Sequence, residues 1–425
     1  MNAQSIVTIT YLLNILSYSV VKKIGTGEIT LGNKPNTTIE NNWYFFSPIS
    51  FDIWLVIFAM GILMIGNGLF SSTLGLRAES EGFPVAVTGM VASMFYAGYI
   101  VGGLAAPYFI ASWKHKVVYI FLSILAGVTT LLMPFHINPW IWGIFTLFMG
   151  SGFAGIYVVC ESWINIRASN HERGRILAVY TVVQYLGLVA GQSFLTLLDP
   201  LTAVPFMMAA GFTMTSAIPM LKATTPDSFP KVQQKINEFL LVRSSTLGSV
   251  TLFTSGLTVS AIFGIGPVYA HRIGMTVEEV ALFITMILVG GLLGFWPFGW
   301  FSDRFGRRLT IAIAAGAGLF VTLLAMWHME PLKFLLFLAM LTGGFLLPFY
   351  GLGLASVNDR LPPDSMVGAS AALIRITGVG SFLGPVMAAI AMDLLGPGGF
   401  FSFLAIAAGV TLIFTMANNK GSSSV

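Results

Sequence analysis

From Phe51 onward, apolar runs of about 18 to 24 residues alternate with short polar breaks. Twelve runs are counted, at 52–74, 85–109, 117–135, 140–162, 175–197, 201–221, 248–270, 279–300, 309–328, 333–355, 366–390 and 399–416. At ~1.5 Å per helical residue, each can cross a hydrocarbon core of ~30 Å. The pattern predicts an all-α membrane protein of twelve transmembrane helices. Ahead of them, the apolar stretch from Ile6 to Val21 is interrupted by Thr8, Thr10, Asn14, Ser17 and Ser19 and reads as interfacial. It does not read as a secretory signal, because Lys22 and Lys23 follow the apolar stretch instead of preceding it. The sequon Asn36-Thr37-Thr38 reads as a chance occurrence.

Composition sharpens this picture. Of 425 residues, 56% are hydrophobic and 9% charged, against about 25% charged in soluble domains. Of the 21 Lys and Arg, only Arg77, Arg272 and Lys333 fall in breaks after odd-numbered runs, and Arg375 lies inside one. All the others lie in the N-terminal segment, the breaks after even-numbered runs or the C-terminal tail, which places both termini in the cytoplasm and the chain in the inner membrane. The net charge of +4 therefore sits in loops, and no nucleic-acid partner is implied. The single cysteine, Cys160, excludes an internal disulfide, and no Cys/His cluster has metal-ligand spacing, so neither metal nor cofactor is expected.

The longest break between runs, Leu221 to Leu247, falls near the middle and reads as a linker. Sliding the chain by 192 positions superposes Gly98 on Gly290, Gly102 on Gly294, Phe109 on Phe301 and Lys116 on Arg308. A shift of 193 brings Gly187 and Gly191 onto Gly380 and Gly384. Two related six-helix halves follow, with expected boundaries at 1–51 (extension), 52–221, 222–247 (linker), 248–416 and 417–425 (tail). Such repeats imply a transporter architecture around a central pathway.

Within the apolar runs the polar residues are few. Asn67, Tyr96, Tyr99, Tyr157, Gln184 and Tyr350 are candidates for a central site. Tyr180, Gln184, Gly187 and Gly191 share one helix face. Arg375 lies some nine residues into the eleventh run with no acid in that run. Two explanations compete for it: an ion pair with Glu161 or Asp359, or capture of an anionic group of a substrate. Glu161, near the end of the fourth run, needs a partner, since an unpaired carboxylate at membrane depth costs on the order of 2–3 kcal/mol or more.

The stretch from Gly299 to Arg308, Gly-Trp-Phe-Ser-Asp-Arg-Phe-Gly-Arg-Arg, is a tight basic turn in which Gly306 is suited to a left-handed cap. Its pattern resembles the signature loop of the major facilitator superfamily, with Phe301 where leucine is usual. Glu161-Ser162-Trp163-Ile164-Asn165, Arg173-Gly174-Arg175, Gly66-Asn67-Gly68-Leu69, Gly264-Ile265-Gly266-Pro267 and Gly380-Ser381-Phe382-Leu383-Gly384-Pro385 resemble its bacterial YcaD-like branch, over about residues 52 to 416. The resemblance implies the superfamily fold, two pseudo-symmetric six-helix halves. It also implies a cytoplasmic gate in which Glu161, Arg173 and Arg175 meet Asp303, Arg304, Arg307 and Arg308 of the other half. Glu161 is in addition a candidate proton carrier. The arginine that many proton-coupled members carry four residues before a glycine in the fourth span is absent; Thr146 stands before Gly150.

The resulting expectation is a monomeric secondary transporter of a small organic solute, tilted by Arg375 toward an anionic or zwitterionic molecule, with the proton as candidate coupling ion. The alternative is a membrane receptor or assembly factor that keeps the fold without transporting. An enzyme is not expected, because no nucleophile–base pair, metal set or phosphate-binding loop is present.

Overall fold

In lipid, backbone polar groups must be satisfied within the segment, so apolar runs of this length become helices. In the computed structural model of the chain, the described residues are 50–169, 172–225, 245–327, 331–360 and 366–417, without the side chains of 366–371. The N-terminal extension, its sequon and most of the linker lie outside them. Among the described residues there is no strand, and eleven helices are long and apolar enough to cross a membrane. One of these, Val85–Phe135, has 51 residues, about 77 Å at helical rise and more than twice a bilayer core. It turns at Lys114, where φ is 64° and ψ 155°, so it holds spans two and three. That makes the twelve crossings the hydrophobic pattern predicts.

The remaining spans are Phe51–Ser80 (span one), Pro139–Arg167 (four), Arg173–Leu195 (five), Thr246–Arg272 (seven), Val277–Phe305 (eight), Arg307–Trp327 (nine), Met366–Leu395 (eleven) and Gly399–Ala417 (twelve). Span six breaks into Val204–Thr215 and Ala217–Lys222, and span ten into Leu332–Leu346 and Phe349–Asn358. Pro219 and Pro348 lie at these breaks, where a missing N–H and a ring clash with the preceding turn disfavour a continuous helix. Local caps set two of the starts. Asn138 Oδ1 accepts from the Trp140 and Ile141 N–H groups at the head of span four, and Thr276 and Glu279 form a reciprocal capping box at the head of span eight.

The internal repeat is visible in how the helices touch. In the first half, Gly98 and Gly102 of span two lie against the Leu147 and Ser151 carbonyls of span four. Their counterparts Gly290 and Gly294 of span eight lie against the Met340 and Gly344 carbonyls of span ten. Likewise Gly187 and Gly191 meet the backbone of span one, while Gly380 and Gly384 meet that of span seven. A side chain at these positions would overlap the facing main chain, so the helices approach as small-residue seams allow in membranes. The two halves are thus built from the same helix pairs.

Gly306 joins spans eight and nine directly. Its N–H bonds back to Ser302 O at 3.0 Å and its own carbonyl accepts from Thr310 N at 3.3 Å, so one residue ends one helix and starts the next. The expected left-handed helical cap is not what forms: φ is 90° but ψ is 151°, because reversal within a single residue needs a nearly extended exit in the region that glycine tolerates best.

Candidate functional site

Between the halves lies a cavity of about 380 Å³, walled by spans one, two, four and five on one side and seven, ten and eleven on the other. Nine of its 25 lining residues are aromatic. Phe70, Phe95, Tyr96, Tyr99, Phe153, Tyr157 and Tyr185 come from the first half, Phe263 and Tyr350 from the second. Phe95 packs edge-on against Tyr96 and Phe153 with centroids 5.3 and 5.8 Å away, and Tyr99 lies 6.0 Å from Tyr157. These distances are in the range of favourable ring contacts. The polar groups of the wall are Asn67, Ser71, Gln184, Glu161, Thr377 and Ser381.

Span four carries the sharpest feature. Tyr157 donates through its hydroxyl to Gln184 Oε1 at 3.3 Å. Glu161 follows one helical turn later, so it shares that face, and it sits six residues before the end of the helix at Arg167, about 9 Å in. Its side chain is exposed to the cavity, and among the described residues it makes no ion pair. No Lys or Arg is part of the described lining. The cavity therefore holds one carboxylate in an aromatic, uncharged surround.

The sequence candidates separate into two groups. Asn67, Tyr157, Gln184, Tyr350 and Glu161 line one cavity, together with Tyr96 and Tyr99. Arg375 is not in that wall; its neighbours Ile374, Thr377 and Gly378 are, and the residue has an interaction of its own. Of the two acids proposed for it, Asp359 pairs with Arg307 at 2.9 Å, and Glu161 makes no ion pair among the described residues. Thr146, in place of the absent arginine, is buried and donates to Val91 O at 3.0 Å, tying span four to span two.

Arg173, Arg304, Arg307 and Arg308 on the basic face are held within their own halves. Arg307 pairs with Asp303 and Asp359 and donates to Ser302 Oγ at 2.9 Å. Arg308 donates to Thr415 O at 2.9 Å and Met416 O at 3.3 Å on span twelve, and Arg304 lies over the Trp300 and Phe305 rings. Arg173 donates to Asn165 O at 3.3 Å, and Arg175 is also engaged. The cross-half cluster expected from the resemblance is not assembled among the described residues.

At the opposite face the halves do meet. Arg272 Nε at the end of span seven lies 2.7 Å from Glu79 Oε1 at the end of span one, with His271 Nδ1 3.4 Å from Glu79 Oε2. Below this pair, a Cβ added to Gly75 would come 3.1 Å from Val268 and one on Gly89 2.7 Å from both Ala389 Cβ and Pro385 O; at mid-span, one on Gly378, itself on the cavity wall, would come 2.6 Å from Ile100. These are helix contacts across the two halves with no room for a side chain. Toward the basic face the contrast is clear, with Glu161 exposed and Tyr350 45% exposed.

Sequence reasoning passed over Glu79, His271 and Arg272. It ended span one at 74, whereas the helix runs to Ser80 and carries Glu79 to the meeting point. The signal available was Arg272 itself, one of the few basic residues on a face otherwise poor in them. Of the aromatic wall, Tyr96, Tyr99, Tyr157 and Tyr350 stood out as polar groups in apolar runs, whereas Phe70, Phe95, Phe153 and Phe263 had no signal of their own, because phenylalanines there look like ordinary lipid-facing or packing residues.

Comparison with known proteins fits this geometry. Over 376 residues the chain is 27% identical to the uncharacterized MFS-type transporter YE1530 of Yersinia enterocolitica, covering 87% of this chain and 96% of the relative. It is 26% identical to the uncharacterized MFS-type transporter YcaD of Salmonella typhi over 375 residues, 86% and 95% of the two chains. Among solved structures, the nucleoside transporter NupG superposes with a TM-score of 0.72 at 14% identity, covering 87% of this chain and 98% of that one, a likeness of fold. The family model of the Major Facilitator Superfamily matches residues 56–269 and 248–423. With its twelve spans, its paired halves and the cavity between them, the chain belongs to the Major Facilitator Superfamily.

Proposed function

We propose that the protein is a secondary transporter that moves a small organic solute by alternating access across the cytoplasmic membrane. The observation that carries this reading is the central cavity, sealed at one face by cross-half contacts and exposed toward the other at Glu161 and Tyr350. The Lys and Arg distribution supports the basic face as the cytoplasmic one, with both termini there; the described conformation then faces inward. The halves, 52–221 and 248–416, rock about the cavity. In the opposite state the Glu79–Arg272 contact parts, and Glu161, Arg173 and Arg175 close on Asp303, Arg304, Arg307 and Arg308. The N-terminal end of span five adds favourable potential for Asp303 in that state.

Asn67, Tyr157, Gln184 and Tyr350 are the proposed solute contacts. Arg375, off the cavity wall, is assigned to holding span eleven rather than to the solute, and the tilt toward an anionic substrate goes with it. Glu161 is the proposed proton carrier, being a carboxyl on the cavity wall without an ion-pair partner among the described residues. The test is reconstitution into liposomes and flux of solute classes with and without an imposed pH gradient. Gradient-driven flux that disappears in Glu161→Gln is the expected result. Flux indifferent to the gradient removes the proton, and no flux of any class together with fixed accessibility of both faces removes transport and leaves the receptor reading.

A further inference from the structure

We infer that the cavity takes an organic cation with an aromatic or otherwise apolar body. The inference rests on reading the cavity as the solute site and adds the chemical class of the solute. Three observations carry it. The described lining contains one ionisable acid, Glu161, and no Lys or Arg. The arginines that could have compensated Glu161 are occupied elsewhere: Arg307 by Asp303 and Asp359, Arg308 by carbonyls of span twelve, Arg304 over Trp300 and Phe305, and Arg375 off the wall.

The third observation is the wall itself. Tyr99 and Tyr157 from one half face a cavity shared with Phe263 and Tyr350 from the other, so rings surround the space on two sides. Ring faces attract cations, and aromatic enclosures are the recurrent way to hold quaternary ammonium groups. The remaining polar side chains, Asn67, Gln184 and the hydroxyls, are neutral and orient a ligand without choosing its charge. An anion would meet Glu161 with no counter-charge beside it, whereas a cation supplies the missing partner. Glu161 thus becomes the charge contact and the rings the body contact, with the ammonium toward the basic face and the apolar body deeper, near Phe263.

The test is equilibrium binding to the purified full-length protein in detergent, which requires no transport. The probes are benzyltrimethylammonium and phenylmethanesulfonate, which share a benzyl group and carry opposite fixed charges. Saturable binding of the cation, not displaced by the anion, is expected. Glu161→Gln is expected to weaken it at least tenfold and Tyr157→Leu several-fold, with Tyr157→Phe binding tighter than Tyr157→Leu and the surface-turn control Asp199→Asn within twofold of wild type. Tighter binding of the anion, no saturable binding of the cation, or a well-folded Glu161→Gln that binds as wild type overturns the assignment. If Glu161→Gln fails to fold, the cation–anion comparison on wild type and the Tyr157 pair decide it. Cation binding without flux in liposomes sinks the transport reading and leaves this one standing; flux of organic anions alone does the reverse.

Discussion

The two ends of the interface between the halves are built on opposite principles. At the end that holds Glu79 and Arg272, the seal is mostly shape: Gly75 and Gly89 let helices of the two halves meet so closely that a methyl group would collide. One partly exposed ion pair, with Glu79 18% and Arg272 35% exposed, sits on top. At the basic end, charge is plentiful, and Arg173, Arg304, Arg307 and Arg308 each find their contacts inside their own half, while Glu161 stands without an ion pair among the described residues. Such a division suits a machine with two states. Shape-based contacts separate without leaving buried charges orphaned, and charges that already have local partners lose little when the halves part.

That comparison can be broken most severely at Gly89. In Gly89→Leu the new side chain meets Ala389 and Pro385, and overpacking of about 1–3 kcal/mol falls on the sealed end. The expected outcome is a shift of roughly 5- to 150-fold away from the described state. Cysteine labelling at position 71, from each side of oriented liposomes, measures it. Next comes Asp303→Asn. Asp303 is 72% exposed in the described state, so its loss should spare thermal stability, yet it removes a proposed partner of span five in the other state; solute exchange is expected to slow about fivefold. Cysteine labelling unchanged together with unchanged exchange would remove Asp303 from the gate.

A smaller effect is expected from Glu79→Gln. Its ion pair is partly screened by solvent, so about 0.5–1 kcal/mol translates into a shift of a few-fold toward opening at that face, read by the same labelling. The least effect on the balance between states belongs to Lys114→Gly. Lys114 lies 192 positions before Gly306 and adopts nearly the same backbone, φ 64° and ψ 155° against 90° and 151°. A lysine held there is strained, and glycine is expected to add about 1 kcal/mol of stability. Thermal unfolding in detergent should show a higher midpoint with labelling from the two sides unaltered.

That pair of turns also shows how much was legible beforehand. The shift of 192 aligned Lys114 with Gly306 although the first-half turn has lost the Asp and Arg of the second. Its backbone survives because the junction geometry is imposed by the two helices on either side, not by the residue between them. The glycine seams were legible for the same reason: helix faces repeat every few residues, and a residue without a side chain at a fixed repeat marks close approach. Asn67, Tyr157, Gln184, Tyr350 and Glu161 were found as rare polar groups in apolar runs. Phe70, Phe95 and Phe263 were not, because in a membrane protein a phenylalanine facing a cavity and one facing lipid have the same neighbours in sequence.

By itself, then, the sequence determined the number of crossings, the charge asymmetry between faces, the internal repeat and the family, since each follows from local chemistry: hydrocarbon length, charge placement and helical periodicity. Tertiary structure alone decided which end of the interface is sealed, that Arg307 turns to Asp359 while Arg375 leaves the cavity wall, and that Glu161 stands as the lone carboxylate among aromatic rings. Those outcomes depend on how seven helices from two halves are rotated about their own axes and tilted against each other. No pattern within any single helix encodes that rotation.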